Sequence, residues 1–208
     1  MSEDQSITFL ALGDSYTIGE RVRVDQRWPV QLAERLRGQG VEMEDPRIVA
    51  VTGWTTDELA SGIEKAQLAE RYDWVSLLIG VNNQYRGYEF SQYEQEFEEL
   101  LQQAIAFASG DTSRVFVVSI PDYGVTPFAE ERDPEKIGKE IDQYNAYAKE
   151  LATSRGVKYF DITPISREAK DDLELVADDQ LHPSGKMYTR WVDMIFPWVY
   201  DIMNDGKR

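Results

Sequence analysis

Five short apolar runs alternate with longer amphipathic stretches, and that alternation restricts the fold more than any other feature of the chain. The runs are Ile7 to Leu12, Arg47 to Val51, Trp74 to Ile79, Val115 to Ile120 and Val157 to Ile162. Each is strand-length and lacks the polar–apolar alternation of a strand with one wet face. Strands that are apolar throughout belong to parallel sheets covered by helices on both sides. The intervening spacing predicts those helices. One covers Trp28 to Leu36 and stops near Gly38 and Gly40. A second opens at a capping box, Thr55 with Glu58, and carries Leu59, Ile63 and Leu68. A third opens at another such box, Ser91 with Glu94, and carries Phe97, Leu101 and Ala108. A fourth starts at Asp133-Pro134, Asp at the cap and Pro in the first turn, and runs to Gly156. A short helical piece spans Ile165 to Lys170. The last helix begins near Pro183 or Ser184, and Pro197 is expected to kink it. The stretches 19–26, 85–90 and 121–132 read as loops. The expectation is α/β: a three-layer α/β/α sandwich around a five-stranded, mostly parallel sheet. With 208 residues and no repeat, linker or low-complexity tract, residues 1–208 are expected to form a single domain.

Charge and composition narrow the partners. The chain holds 38 acidic and 22 basic residues, a net charge of −16. That balance disfavours nucleic acid and anionic membrane surfaces, which select basic faces. There is no cysteine and a single histidine, so neither a thiolate nor an imidazole cluster can hold zinc. No metal and no cofactor is expected. The start, Met-Ser-Glu-Asp-Gln-Ser, lacks the basic and apolar parts of a secretory signal. A cytoplasmic protein is the simplest expectation, a secreted one the alternative if a signal has been removed.

The chemistry-bearing residues stand at the ends of the predicted strands. The first strand stops at Gly13-Asp14-Ser15, the second runs into Gly53, and the third ends at Gly80-Val-Asn82-Asn83. In a parallel sheet these ends lie side by side, at the edge where open α/β sheets bind ligands. His182 precedes the last helix, with Asp179 three residues upstream. Acyl transfer needs a hydroxyl, a base to take its proton and a group to hold the base. Ser15, His182 and Asp179 are one of each. Donors for a developing oxyanion are available from the backbone N–H groups of Ser15 and Gly53 and from the Asn82 amide. Asp14, Trp54, Asn83, Tyr85 and Arg86 are the candidate substrate-binding residues. Tyr88 is a further loop aromatic, and Asp122 to Phe128 reads as loop architecture.

These blocks resemble those of the SGNH hydrolase superfamily, the GDSL-type esterases and lipases. That family has Ser in a Gly-Asp-Ser block, then a Gly, an Asn in a Gly-x-Asn-Asp block and a His in an Asp-x-x-His block. The chain shows Gly13-Asp14-Ser15, Gly53, Gly80-Val81-Asn82 and Asp179-Gln-Leu-His182 in that order. The resemblance implies a flavodoxin-like sheet and hydrolysis of an ester or thioester by Ser15, His182 and Asp179. It departs at two places. Tyr16 stands where Leu is usual, altering a pocket wall. Asn83 stands where Asp is usual; Asn still accepts through its carbonyl oxygen but adds donors.

The expected activity is therefore serine hydrolysis of a small-molecule or saccharide carboxylic ester. Short acyl groups are favoured because no stretch reads as an amphipathic lid. The alternatives are carbohydrate O-deacetylation, acyl thioester hydrolysis, and a non-catalytic binding or flavin module on the same sheet. Arg21, Arg23, Arg27 and Arg86 lie on loops near the expected mouth. They are read as partners of the many carboxylates before they are read as anion binders.

Overall fold

A computed structural model describes residues 6–205. The strands are β1 (Phe9–Gly13), β2 (Arg47–Ala50), β3 (Trp74–Leu78), β4 (Val115–Val118) and β5 (Lys158–Phe160). They form one sheet in the order β2-β1-β3-β4-β5, every pair parallel. Leu12 stands beside Val49 on one side and Leu77 on the other. Their apolar composition follows from this: β1, β3 and β4 are buried along their whole length.

Among the described residues, eight α-helices join and cover the strands: α1 (Ser15–Ile18), α2 (Trp28–Arg37), α3 (Thr56–Lys65), α4 (Val81–Tyr85), α5 (Phe90–Phe107), α6 (Pro134–Ser154), α7 (Thr163–Arg167) and α8 (Gly185–Asp205). α5 packs between α3 and α6, while α2 and α8 pack together. Phe9, Trp28 and Phe116 meet with ring centroids 6.0–6.2 Å apart, and Trp198 packs against Trp74, Phe116 and Phe160. Burial of each such side chain stabilises the fold by roughly 1.5–3 kcal/mol. Among the described residues, no helix is long and apolar enough to cross a membrane.

Local signals are met unevenly. The first capping box forms, the Thr55 N–H donating to Glu58 Oε2 at 3.0 Å. Asp133 caps α6 through the Lys136 N–H at 3.0 Å. The second box does not form. α5 begins at Phe90, with Ser91 already inside it and no side-chain cap. Packing overrides the cap there, because Phe90 buries its ring against Tyr93 and Tyr144 at 5.9 and 5.0 Å. The stretch expected to be loop, 85–90, is helical at both ends: Tyr85 is the last residue of the short helix α4, which starts after Gly80, and Phe90 is the first of α5. α8 continues from Gly185 to Asp205 with Pro197 inside it.

Candidate active site

The connection after β1 returns to β2, whereas the one after β2 crosses over to β3. Connections that part in this way open a crevice at the C-terminal ends of the strands. β1 ends there at Gly13. A Cβ on that residue would stand 2.2 Å from Thr17 Oγ1 and 2.5 Å from the Leu78 carbonyl oxygen. Only glycine lets the chain turn from strand into helix at this point. Asp14 then caps α1, its Oδ1 accepting the Tyr16 N–H at 3.0 Å. Ser15 becomes the first residue of a one-turn helix.

Ser15 lines a cavity of about 200 Å³ together with Tyr16, Gly53, Asn82, Tyr85 and His182; Thr52, Val81, Tyr123, Phe128 and Leu181 complete its wall. His182 is held by a closed turn. Asp179 Oδ1 accepts the Leu181 and His182 N–H groups at 3.1 and 3.0 Å, and the Ala177 N–H donates to the His182 carbonyl at 2.7 Å. The second carboxylate oxygen, Asp179 Oδ2, lies 2.5 Å from His182 Nδ1. With Nδ1 engaged there, Nε2 is the ring nitrogen left for the cavity. Burial by itself would raise the Asp179 pKa. The hydrogen bonds from the His182 ring and from the two amides outweigh it, and the carboxyl is held below its ordinary value.

The opposite wall carries the donors. Asn82 Nδ2 donates one hydrogen to the Trp54 carbonyl at 2.9 Å, which fixes the amide and leaves its second N–H for the cavity. Gly53 has φ +89°, a conformation open to glycine at little cost. Its carbonyl accepts Arg86 Nη2 at 2.6 Å, and Arg86 is in turn 3.2 Å from Glu58. The Gly53–Trp54 peptide is therefore held through its carbonyl. Such an arrangement suits an anion developing between the two walls.

Of the five residues expected to bind substrate, Tyr85 lines the cavity and the other four do not. Asp14 is fully buried beneath Ser15 as the cap of α1. Asn83 is fully buried too: its Oδ1 accepts the Thr56 N–H at 3.1 Å and its Nδ2 donates to Thr56 Oγ1 at 2.6 Å, stapling α4 to the start of α3. Asn thus uses both the acceptor and the added donor that distinguish it from Asp. The Trp54 ring covers Gly62 on α3, so only its carbonyl faces Asn82. Arg86 is spent on Gly53 and Glu58. Tyr88 does not line the cavity either. Arg21 and Arg23 also face carboxylates, Arg21 those of Glu20 and Asp179, and Arg23 that of Asp25.

Two wall residues come from the segment read as loop architecture. Tyr123 and Phe128 pack with Tyr85 at centroid distances of 6.0 and 6.3 Å. The Arg132 guanidinium lies 4.7 Å over the Tyr85 ring and donates to its hydroxyl at 2.8 Å. The Phe128 N–H donates to the Gln180 carbonyl at 3.1 Å, tying this wall to the turn that holds His182. The segment follows β4, so it leaves the same sheet edge as Ser15 and Asn82; that position was its signal. Tyr16, in place of the usual Leu, is buried in the cavity floor with its ring edge-on to His182 at 5.7 Å.

The chain matches the GDSL-like Lipase/Acylhydrolase family over residues 11–190. It belongs to that family. A relative, an acetylxylan esterase of Geobacillus stearothermophilus, is 26% identical over 145 residues, which cover 64% of this chain. The match spans 62% of that relative's own length. Among solved structures, TesA superposes with a TM-score of 0.70 at 17% identity, covering 92% of this chain and 97% of TesA. Axe2, an acetylxylan esterase of Geobacillus stearothermophilus, superposes with a TM-score of 0.69 at 21% identity, covering 96% of each chain. The three-layer α/β fold with its parallel five-stranded sheet is that of this family.

Proposed function

We propose that the chain hydrolyses carboxylic esters of small molecules or saccharides, with short acyl groups, through Ser15, His182 and Asp179. The observation that carries the reading is the Asp179–His182 pair opening on the same cavity as Ser15. Ser15 Oγ attacks the acyl carbon while His182 Nε2 takes the hydroxyl proton. The carbonyl oxygen becomes an oxyanion and meets the Ser15 and Gly53 N–H groups and the Asn82 amide. His182 returns the proton to the leaving alcohol, and the acyl group stays on Ser15. Water then attacks the acyl-enzyme, again giving its proton to His182, and the acid leaves with Ser15 restored. Asp179 keeps the ring in the tautomer that needs Nε2 free and stabilises its protonated state.

The cavity's size and its Tyr85–Tyr123–Phe128 wall support the preference for short acyl groups and a ring-bearing alcohol. That wall, with the acetylxylan esterase relative, favours a saccharide ester over a long-chain lipid. A fluorophosphonate probe should label Ser15 in the folded protein. A panel of p-nitrophenyl esters should be hydrolysed faster as acetate or butyrate than as long-chain esters, with acetylated sugars tested beside them. Absence of labelling and of turnover would leave a binding module as the better reading. Faster turnover of long-chain esters would overturn the acyl preference alone.

A further inference from the structure

The turn that follows α1 reaches Ser15, Thr52 and Asp179 without lining the cavity. Gly19 and Glu20 both donate their N–H groups to the Ser15 carbonyl at 3.1 Å. Glu20 Oε2 accepts the hydroxyl of Thr52 at 2.5 Å, and Thr52 lines the cavity beside Gly53. Arg21 Nε lies 3.9 Å from Glu20 Oε1 and 3.8 Å from Asp179 Oδ2, the oxygen that also meets His182 Nδ1. Arg21 holds this place with φ +66°, a left-handed backbone that a long side chain adopts only at a cost.

We infer that Glu20 and Arg21 are positioning residues that clamp the Gly53 loop and the Asp179 carboxylate to the nucleophile helix and set the basicity of the Asp179–His182 pair. The inference rests on the hydrolase reading above. A cation against Asp179 opposes protonation of the imidazole on the other side of that carboxylate, because it offsets part of the negative charge that an imidazolium would meet. Glu20 moderates the effect by drawing on the same guanidinium. Tyr16, whose ring meets His182, faces the cap residue Asp14, Asp122 and Tyr123 after β4, and Tyr188 on α8; Tyr188 in turn faces Asp179, Glu20 and Arg27 ahead of α2. Of all these, Arg21 is the cation in ion-pair contact with Asp179.

The two residues make opposite predictions. Arg21→Asn removes the cation and keeps a residue that tolerates the left-handed backbone. The acidic limb of kcat/KM should move up by about 0.3–0.5 pH unit, the size expected for one partly exposed charge. kcat should fall about two- to fivefold, in line with loss of an exposed ion pair, with KM little changed. Glu20→Gln can still accept from Thr52 but frees Arg21 for Asp179, so the limb should move down. Arg21→Lys retains the charge and should keep the limb at its wild-type position. A purely structural clamp would lower activity in Arg21→Asn without moving the limb. Limbs that do not move, that move in the same direction in both charge variants, or that move in Arg21→Lys as in Arg21→Asn overturn the inference while the hydrolase reading stands. A wild-type protein that hydrolyses none of the esters overturns both.

Discussion

Asp14 is expected to make the protein less stable as the pH rises, and an amide in its place should remove the effect. The carboxyl is fully buried. Its Oδ1 caps Tyr16, while Oδ2 has no hydrogen-bond partner among the described residues. Burial outweighs the backbone hydrogen bonds and raises its pKa from 3.8 to about 7. In the unfolded chain the proton leaves near pH 3.8; in the folded chain it is kept to near neutrality. Between those values the native state binds more protons, so stability falls with rising pH and levels off above about 7. Just over three pKa units at about 1.4 kcal/mol each amount to about 4 kcal/mol. About 2.5 kcal/mol of that falls between pH 5 and pH 8. The asparagine of an Asp14→Asn variant can keep the Tyr16 cap through its carbonyl oxygen and has no proton to lose. Urea unfolding of wild type and Asp14→Asn at the two pH values gives four free energies. Wild type should lose about 2.5 kcal/mol relative to the variant on going from pH 5 to pH 8, whatever the other groups do, since they are common to both. A double difference near zero, or one of opposite sign, would refute the assignment of a buried, proton-holding carboxyl beneath Ser15.

Ser15→Ala should abolish ester hydrolysis and leave the thermal transition nearly unchanged; activity close to wild type would remove Ser15 from the reaction. Asn82→Ala should lower kcat by roughly a hundredfold or more with less change in KM, since its free N–H meets charge that develops only in the transition state. A change confined to KM would make Asn82 a substrate-binding residue. Phe128→Ala should raise KM for ring-bearing esters and alter kcat less, because the ring is a wall and not a donor; equal losses in kcat on all esters would point instead to a disturbed Gln180 turn.

The strands and the layered architecture rest on signals that are local and dense, whereas the strand order is set by crossovers that no local run reveals. A strand buried on both faces has no alternative to apolar residues, so β1, β3 and β4 announce themselves. The cap of α6 needs only Asp133 and its neighbours, and it forms as its residues suggest. The Ser91–Glu94 pair has the same form but loses to the burial of Phe90 against Tyr144, a residue 54 positions away that no local pattern reveals. The site divides along the same line. Asp179 and His182 are three residues apart, and their hydrogen bond is a property of one turn. Asn83 and Arg86 sit beside Asn82 in sequence, yet neither lines the cavity, because Asn83 finds Thr56 and Arg86 finds the Gly53 carbonyl. Both partners lie about 30 positions back, on the connection that leaves β2. Proximity in sequence thus marks the neighbourhood of a site, whereas contact with a substrate is decided by which polar atoms the protein has already used. By that criterion Asn82 on α4, with one N–H held by Trp54 and one left over, keeps a donor for the role proposed for it.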